Sequence, residues 1–245
     1  SAEAVSALAG RLADLVADGV EPAEIAHSLV RTRAEFDWRA VVVAADAEAA
    51  RTGLAQVAES GGTAIRPRTE PVFVFPGGGA QWAGMAVELL EKSPAFADRM
   101  RECADALAPH IDWDLFEMLN DEQALVRTEI MQPTLWAVSV SLATAWESAG
   151  VRPAAVVGHS HGEVAAAVVA GALSLTDAAR LITLRGNLIS DKLDGTGVAV
   201  SVQLPLADAV ERAAAFPHIT VAGINSPQST VLAGAADQVA LLAEK

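Results

Sequence analysis

A serine set between two glycines, Gly158-His159-Ser160-His161-Gly162, follows the apolar run Ala154-Ala155-Val156-Val157 and precedes the helix-forming Glu163-Val164-Ala165-Ala166-Ala167. A strand, a sharp turn and a helix in that order leave few folds open, because the backbone must reverse within a few residues without Cβ clashes. This is the pattern of a nucleophile elbow. It lifts the hydroxyl above the strand end, and the first N–H groups of the helix, which lack intrahelical partners, face any oxyanion that develops beside it. The pattern points to a serine that carries acyl groups as esters.

From Pro71 onward short apolar strands alternate with longer helices, which argues for a parallel sheet covered on both faces. The strand Val72-Phe73-Val74-Phe75 runs into Pro76-Gly77-Gly78-Gly79-Ala80-Gln81, and a helical stretch follows from Met85 to Leu90. Two readings of the glycines stay open: backbone amides brought against a ligand at the carboxyl edge of the sheet, or a flexible turn. The run matches neither the P-loop nor the dinucleotide fingerprint. Further on, a helix beginning near Asp177, with Thr176 as its N-cap, places Ala178, Leu181, Ile182, Leu188 and Ile189 on one face. Arg185 falls on the same stripe. A guanidinium turned inward needs an anion, either a structural carboxylate such as Glu163 or the carboxylate of a substrate, and its planar fork is best suited to bidentate carboxylate recognition.

Residues 1 to about 66 read as a separate small α/β unit. Val5, Leu8, Leu12, Leu15 and Val16 mark a first helix, and a second runs from about Ile25 to Arg33. A strand follows at Arg39–Ala44, then a third helix from the N-cap Asp46 to Glu59. Gly61 through Arg68 reads as a connector. No chemistry is identifiable here, so the unit reads as an adaptor.

Composition removes several function classes. A chain of 245 residues that is 52% hydrophobic can bury a substantial core, and its net charge of −14 argues against a phosphate-binding surface for nucleic acid. Cys103 is the only cysteine, which excludes an intrachain disulfide, favours a reducing compartment and suits a small buried apolar residue. Ser1–Ala17 mixes charges with apolar residues at helical spacing, unlike a targeting signal. The longest apolar stretch, Val164–Leu175, is shorter than the roughly 20 residues that span a bilayer. A soluble cytoplasmic protein is expected. No metal is expected either, because His159 and His161 have no further ligands near them in sequence.

Several motifs in order carry a resemblance. They are Phe75-Pro76-Gly77-Gly78-Gly79-Ala80-Gln81-Trp82-Ala83-Gly84-Met85, Gln132-Pro133 before an apolar helix, Gly158-His159-Ser160-His161-Gly162-Glu163, Leu184-Arg185-Gly186, and Asn225-Ser226-Pro227-Gln228-Ser229-Thr230-Val231-Leu232-Ala233-Gly234. In these the chain, from Pro71 to its end, resembles the malonyl-type acyltransferase family, especially the acyltransferase domains of modular polyketide synthases. The leading residues resemble the linker that joins the ketosynthase to the acyltransferase.

The resemblance implies an α/β fold with three parts: an N-terminal α/β linker domain at 1–66, the first part of an α/β-hydrolase-like large subdomain with a parallel sheet at 67–197, and the start of a small ferredoxin-like subdomain at 198–245. It implies a two-step transfer from a malonyl- or methylmalonyl-type acyl coenzyme A to the phosphopantetheine thiol of an acyl carrier protein, with no tightly bound cofactor and a neighbouring ketosynthase domain. Ser160 is then the nucleophile, and Gly78 and the N–H of His161 form the oxyanion hole. Arg185, His161, Gln132 and His159 are the substrate-binding residues, Arg185 pairing with the free carboxylate of the acyl unit.

Two departures from the family pattern matter. Many members carry glutamine where this chain has Gly78, and the catalytic histidine is expected beyond residue 245, leaving the piece C-terminally truncated. His27, His110 and His218 stand outside any catalytic context, and His159 and His161 are expected to point away from the serine. His161 occupies a position that varies with substrate, so malonyl and methylmalonyl remain unresolved. The rival readings are a serine esterase or thioesterase, which shares Gly-x-Ser-x-Gly, and a non-catalytic structural fragment of a synthase.

Overall fold

The computed structural model describes residues 1–64, 70–192 and 197–243, and the chain divides into two units, Ser1–Glu70 and Pro71–Lys245. In the first unit, helices α1 (Ala2–Ala17) and α3 (Ala47–Ser60) pack on each other through Ala9, Val16 and Ala50, with α2 (Pro22–Thr32) between them in sequence. Asp46 caps α3 as expected, its carboxylate accepting from the Ala49 N–H at 2.8 Å. The strand expected at Arg39–Ala44 is shorter: β1 (Trp38–Arg39) pairs antiparallel with β2 (Thr63–Ala64), which lies inside the stretch expected to be a connector. Val42 still turns inward against Gly53 of α3 while Val41 and Val43 are exposed, so the period-two pattern of a strand persists. What Ala40–Ala44 lacks, among the described residues, is a neighbouring strand to complete a ladder. The expected boundary at residue 66 lies outside the described residues.

The second unit opens with β3 (Val72–Phe75), then α4 (Val87–Lys92), α5 (Pro94–Leu107), the short α6 (Leu115–Met118) and the long α7 (Thr128–Ser148). β4 (Ala155–Gly158), α8 (Gly162–Val169) and α9 (Leu175–Lys192) follow. β3 and β4 are parallel, Val72 opposite Ala155 and Phe75 opposite Gly158, so both strands end at one edge. One core holds this part together: Phe96, Met100, Cys103 and Leu107 of α5, Trp136 and Val140 of α7, and Ala178 and Ile182 of α9. Phe73 and Phe75 turn toward it. Val72, Val74 and Val157 are exposed, so among the described residues the sheet is covered on one face and not on both.

The remainder is β5 (Val198–Val202), α10 (Leu206–Ala213), β6 (Thr220–Ser226), β7 (Ser229–Gly234) and α11 (Ala236–Ala243), with the antiparallel strand order β5-β7-β6. This matches the first five elements of a β-α-β-β-α-β ferredoxin-like arrangement. It has its own core of Ala209, Ala213, Phe216, Ile219, Leu232, Val239 and Leu242, sharing no residue with the first. No described helix is long and apolar enough to cross a membrane.

Candidate active site

The elbow is built where β3 and β4 end together. The His159 N–H donates to the Phe75 carbonyl at 2.9 Å, tying the turn to the neighbouring strand. Gly162 N–H then donates to His159 O at 3.0 Å and Glu163 N–H to Ser160 O at 3.1 Å, which carries the chain straight into α8. The backbone strain sits on Ser160 itself, with φ of 56°, and neither flanking glycine has positive φ. The glycines serve close approach instead. A Cβ on Gly158 would collide with the backbone of Glu163, and one on Gly162 with the carbonyls of Phe75 and Pro76. The elbow therefore closes only because β4 and α8 can touch backbone to backbone.

Arg185 reaches this turn from α9. The helix begins two residues earlier than expected, since the cap is Ser174 and not Thr176: the Ser174 hydroxyl accepts from Asp177 N–H at 3.1 Å and donates to the Asp177 carboxylate at 2.7 Å. Its buried face is Ala178, Ala179, Ile182, Thr183 and Gly186, while Leu181 and Leu188, expected on it, are exposed. The i, i+4 row through Ala178, Ile182 and Gly186 selects this face. A Cβ on Gly186 would lie 3.1 Å from Glu129 Cα, so α9 packs against the first turn of α7 at backbone distance. That contact brings half-buried Arg185 to Gln132, which is buried in α7. Arg185 Nη1 donates to Gln132 Oε1, and Nη2 donates to Ser160 Oγ at 3.2 Å. Among the described residues no carboxylate pairs with Arg185, and Glu163 is exposed. The guanidinium thus stands over Ser160, held by two neutral groups.

The two histidines of the elbow differ. His159 is exposed, and its Nε2 lies 3.1 Å from Asn225 Oδ1 on β6. His161 is 3% exposed, with neither ring nitrogen hydrogen-bonded among the described residues. Burial, then the positive charge of Arg185 and the nearby His159, push its pKa down to about 4, so the ring is neutral at pH 7. Among the described residues no imidazole hydrogen-bonds Ser160 Oγ. The glycine turn lies at the same edge: Gly79 N–H donates to Gln81 Oε1 at 2.8 Å, and a Cβ on Gly77 would meet His159 Nδ1 at 2.8 Å. Gly78 faces Met131, next to Gln132, where an added Cβ would be 3.3 Å from the Met131 methyl.

The structure thus gathers Ser160, His159, His161, Arg185, Gln132 and the Gly77–Gly79 turn. It also adds Asn225, quoted in a motif but given no role by the sequence. Two surface clefts of about 330 and 410 Å3 are lined by neither Ser160 nor Arg185, so the chemistry of the side chains, not cleft size, locates the site. Among the described residues no three His, Cys, Asp or Glu side chains gather as metal ligands would.

Residues 72–245 match the family model described as acyl transferase domain. The chain is 47% identical over 243 residues to the spectinabilin polyketide synthase system protein NorA' of Streptomyces orinoci, covering 94% of this chain and 7% of that protein. The acyltransferase domain from module 8 of the salinomycin polyketide synthase superposes with a TM-score of 0.85 at 45% identity, over 100% of this chain and 60% of that one. A solved complex of a type II polyketide synthase acyl-carrier protein with its malonyl-transacylase also matches, with a TM-score of 0.62 at 31% identity, over 72% of this chain and 58% of that one.

Proposed function

The chain belongs to the acyl transferase domain family, and from that premise we propose that it moves a malonyl-type acyl group from coenzyme A, through an ester on Ser160, to the phosphopantetheine thiol of an acyl carrier protein. Ser160 Oγ bonds to the acyl carbon, the C–S bond breaks, and the proton from Ser160 ends on the coenzyme A thiol. The carrier thiol then attacks the ester, the C–O bond breaks, and a proton returns to Ser160. The backbone N–H groups of His161 and Gly78 stabilise the oxyanion formed in each half. Proton transfer requires a general base at Oγ, and among the described residues no imidazole hydrogen-bonds it.

The observation that carries this reading is Arg185, whose charge lies within 3.2 Å of Ser160 Oγ with no carboxylate partner among the described residues. An acyl unit bearing a free carboxylate supplies the missing anion, Gln132 holds the guanidinium in place, and an acetyl or propionyl group leaves the charge unpaired. His161, held neutral at pH 7, and its neighbour His159 complete the wall around the acyl group. Residues 1–66 act as the linker to a ketosynthase, 67–197 as the larger and 198–245 as the smaller subdomain of the acyltransferase, working in the cytoplasm.

The test is the intact mass of the full protein after brief exposure to malonyl, methylmalonyl, acetyl and propionyl coenzyme A. A mass gain from a carboxylated unit that disappears in Ser160→Ala is expected. Acyl-enzyme persisting in Ser160→Ala, or forming from monocarboxylic units alone, would overturn the proposal.

A further inference from the structure

The hydrogen bond between His159 and Asn225 joins two parts of the fold whose cores share no residue. Its geometry is built in from both sides. On β6, Ile224 pairs with Thr230 and Ser226 with Ser229, so Asn225 is the extra residue of a β-bulge. A bulge frees one residue from the ladder and re-aims its side chain, and here the freed amide is directed at the ring of the residue preceding the nucleophile. On the elbow, the His159 backbone is held by Phe75 O, and its ring lies so close to Gly77 that a Cβ there would meet Nδ1 at 2.8 Å. The imidazole is therefore flanked by the glycine turn on one side and by Asn225 on the other. With Asn225 Oδ1 as acceptor, Nε2 carries the proton and donates.

We propose that His159 and Asn225 form a latch that seats the small antiparallel sheet against the elbow, and that this closure keeps water from the Ser160 ester until the thiol acceptor arrives. Both are positioning residues. The latch rests on the transfer reading above and adds to it a control over the fate of the intermediate. The reaction it suppresses is hydrolysis, in which water oxygen bonds to the acyl carbon, the bond from that carbon to Ser160 Oγ breaks, and one proton of the water passes to Oγ, releasing the free acid.

The experiment loads the full protein from malonyl coenzyme A, removes excess donor, and follows loss of the acyl-serine mass without an acceptor. Loss of one net hydrogen bond predicts an ester half-life about fivefold shorter in Asn225→Ala and in His159→Ala, and no shorter still in the double variant. Asn225→Asp keeps the acceptor and is expected to restore the half-life. Equal half-lives in all variants, additive losses, or a fall in thermal midpoint with the half-life unchanged would overturn the latch. 15N spectra of the imidazole supply a readout independent of chemistry: the Nε2-protonated form is expected, shifting in Asn225→Ala, and the opposite tautomer would overturn the bond. An unsubstituted protein that forms no acyl-serine yet has the expected tautomer would overturn the transfer reading and, with it, the latch's control of the ester, leaving only a structural contact.

Discussion

Ser160 and Arg185 lie 25 residues apart in sequence and in hydrogen-bond contact in space. Replacing Arg185 with alanine removes both the charge and the demand for an anion. Loss of one charge-assisted pair predicts a kcat/KM for a malonyl-type donor lower by roughly 100-fold, while that for acetyl coenzyme A holds or rises. Parallel kinetics with the two donors check it, and an unchanged ratio would remove the carboxylate role. Cys103 illustrates the opposite case. It is fully buried in the α5 face of the core, and burial pushes its thiol up to about 12 despite the opposing positive charge of Arg99. An aromatic disulfide reagent is expected to leave the native protein unmodified and to label one thiol per chain after denaturation. The expectation of a small buried residue was available from the sequence, because no reactive turn surrounds Cys103; the identity of its neighbours was not.

At the scale of elements, the turn between β4 and α8 is the most demanding feature. Gly162 sits where a single methyl would overlap two carbonyls of β3 and the residue after it. Gly162→Ala is expected to destabilise the second unit by about 2–3 kcal/mol, as overpacking in a site that cannot relax does, read as a lower denaturant midpoint. Strands β3 and β4 were legible as apolar runs bounded by turn residues, α1 and α9 as periodic stripes, and α3 from its cap. The errors have local causes. The start of α9 was displaced because Ser174 and Thr176 are both competent caps and only the geometry chose between them. Its buried face was right at Ala178 and Ile182 and wrong at Leu181 and Leu188, because apolar character alone favours leucine, whereas close packing on α7 selects Ala179 and Gly186. Arg39–Ala44 reads as a strand, yet pairing belongs to a partner strand and not to the run itself.

For the whole molecule, His161 couples the site to pH. The folded chain holds it near pKa 4, below its ordinary 6.5, chiefly by burial. Between those values the unfolded chain binds a proton that the folded chain refuses, so stability from this group is complete above about pH 6.5 and falls as the pH drops toward 4. Denaturant midpoints at pH 7.5 and 5 should differ less in His161→Gln than in the unsubstituted protein; an equal difference would show that His161 does not titrate as argued. Protonation would also place a second positive charge beside Arg185.

The sequence by itself determined most of the elements and the elbow around Ser160, because strand and helix periodicity and the need for glycine at close backbone approach are local properties. It also carried the motif order that marks the family. Only the tertiary structure decided which atoms meet: Arg185 on Ser160 and Gln132, His159 on Asn225, and strain on the serine instead of the glycines. Those outcomes depend on how α9 packs on α7 and where a bulge interrupts β6, and such packing is settled by the whole set of neighbours competing for one space, which no single segment encodes.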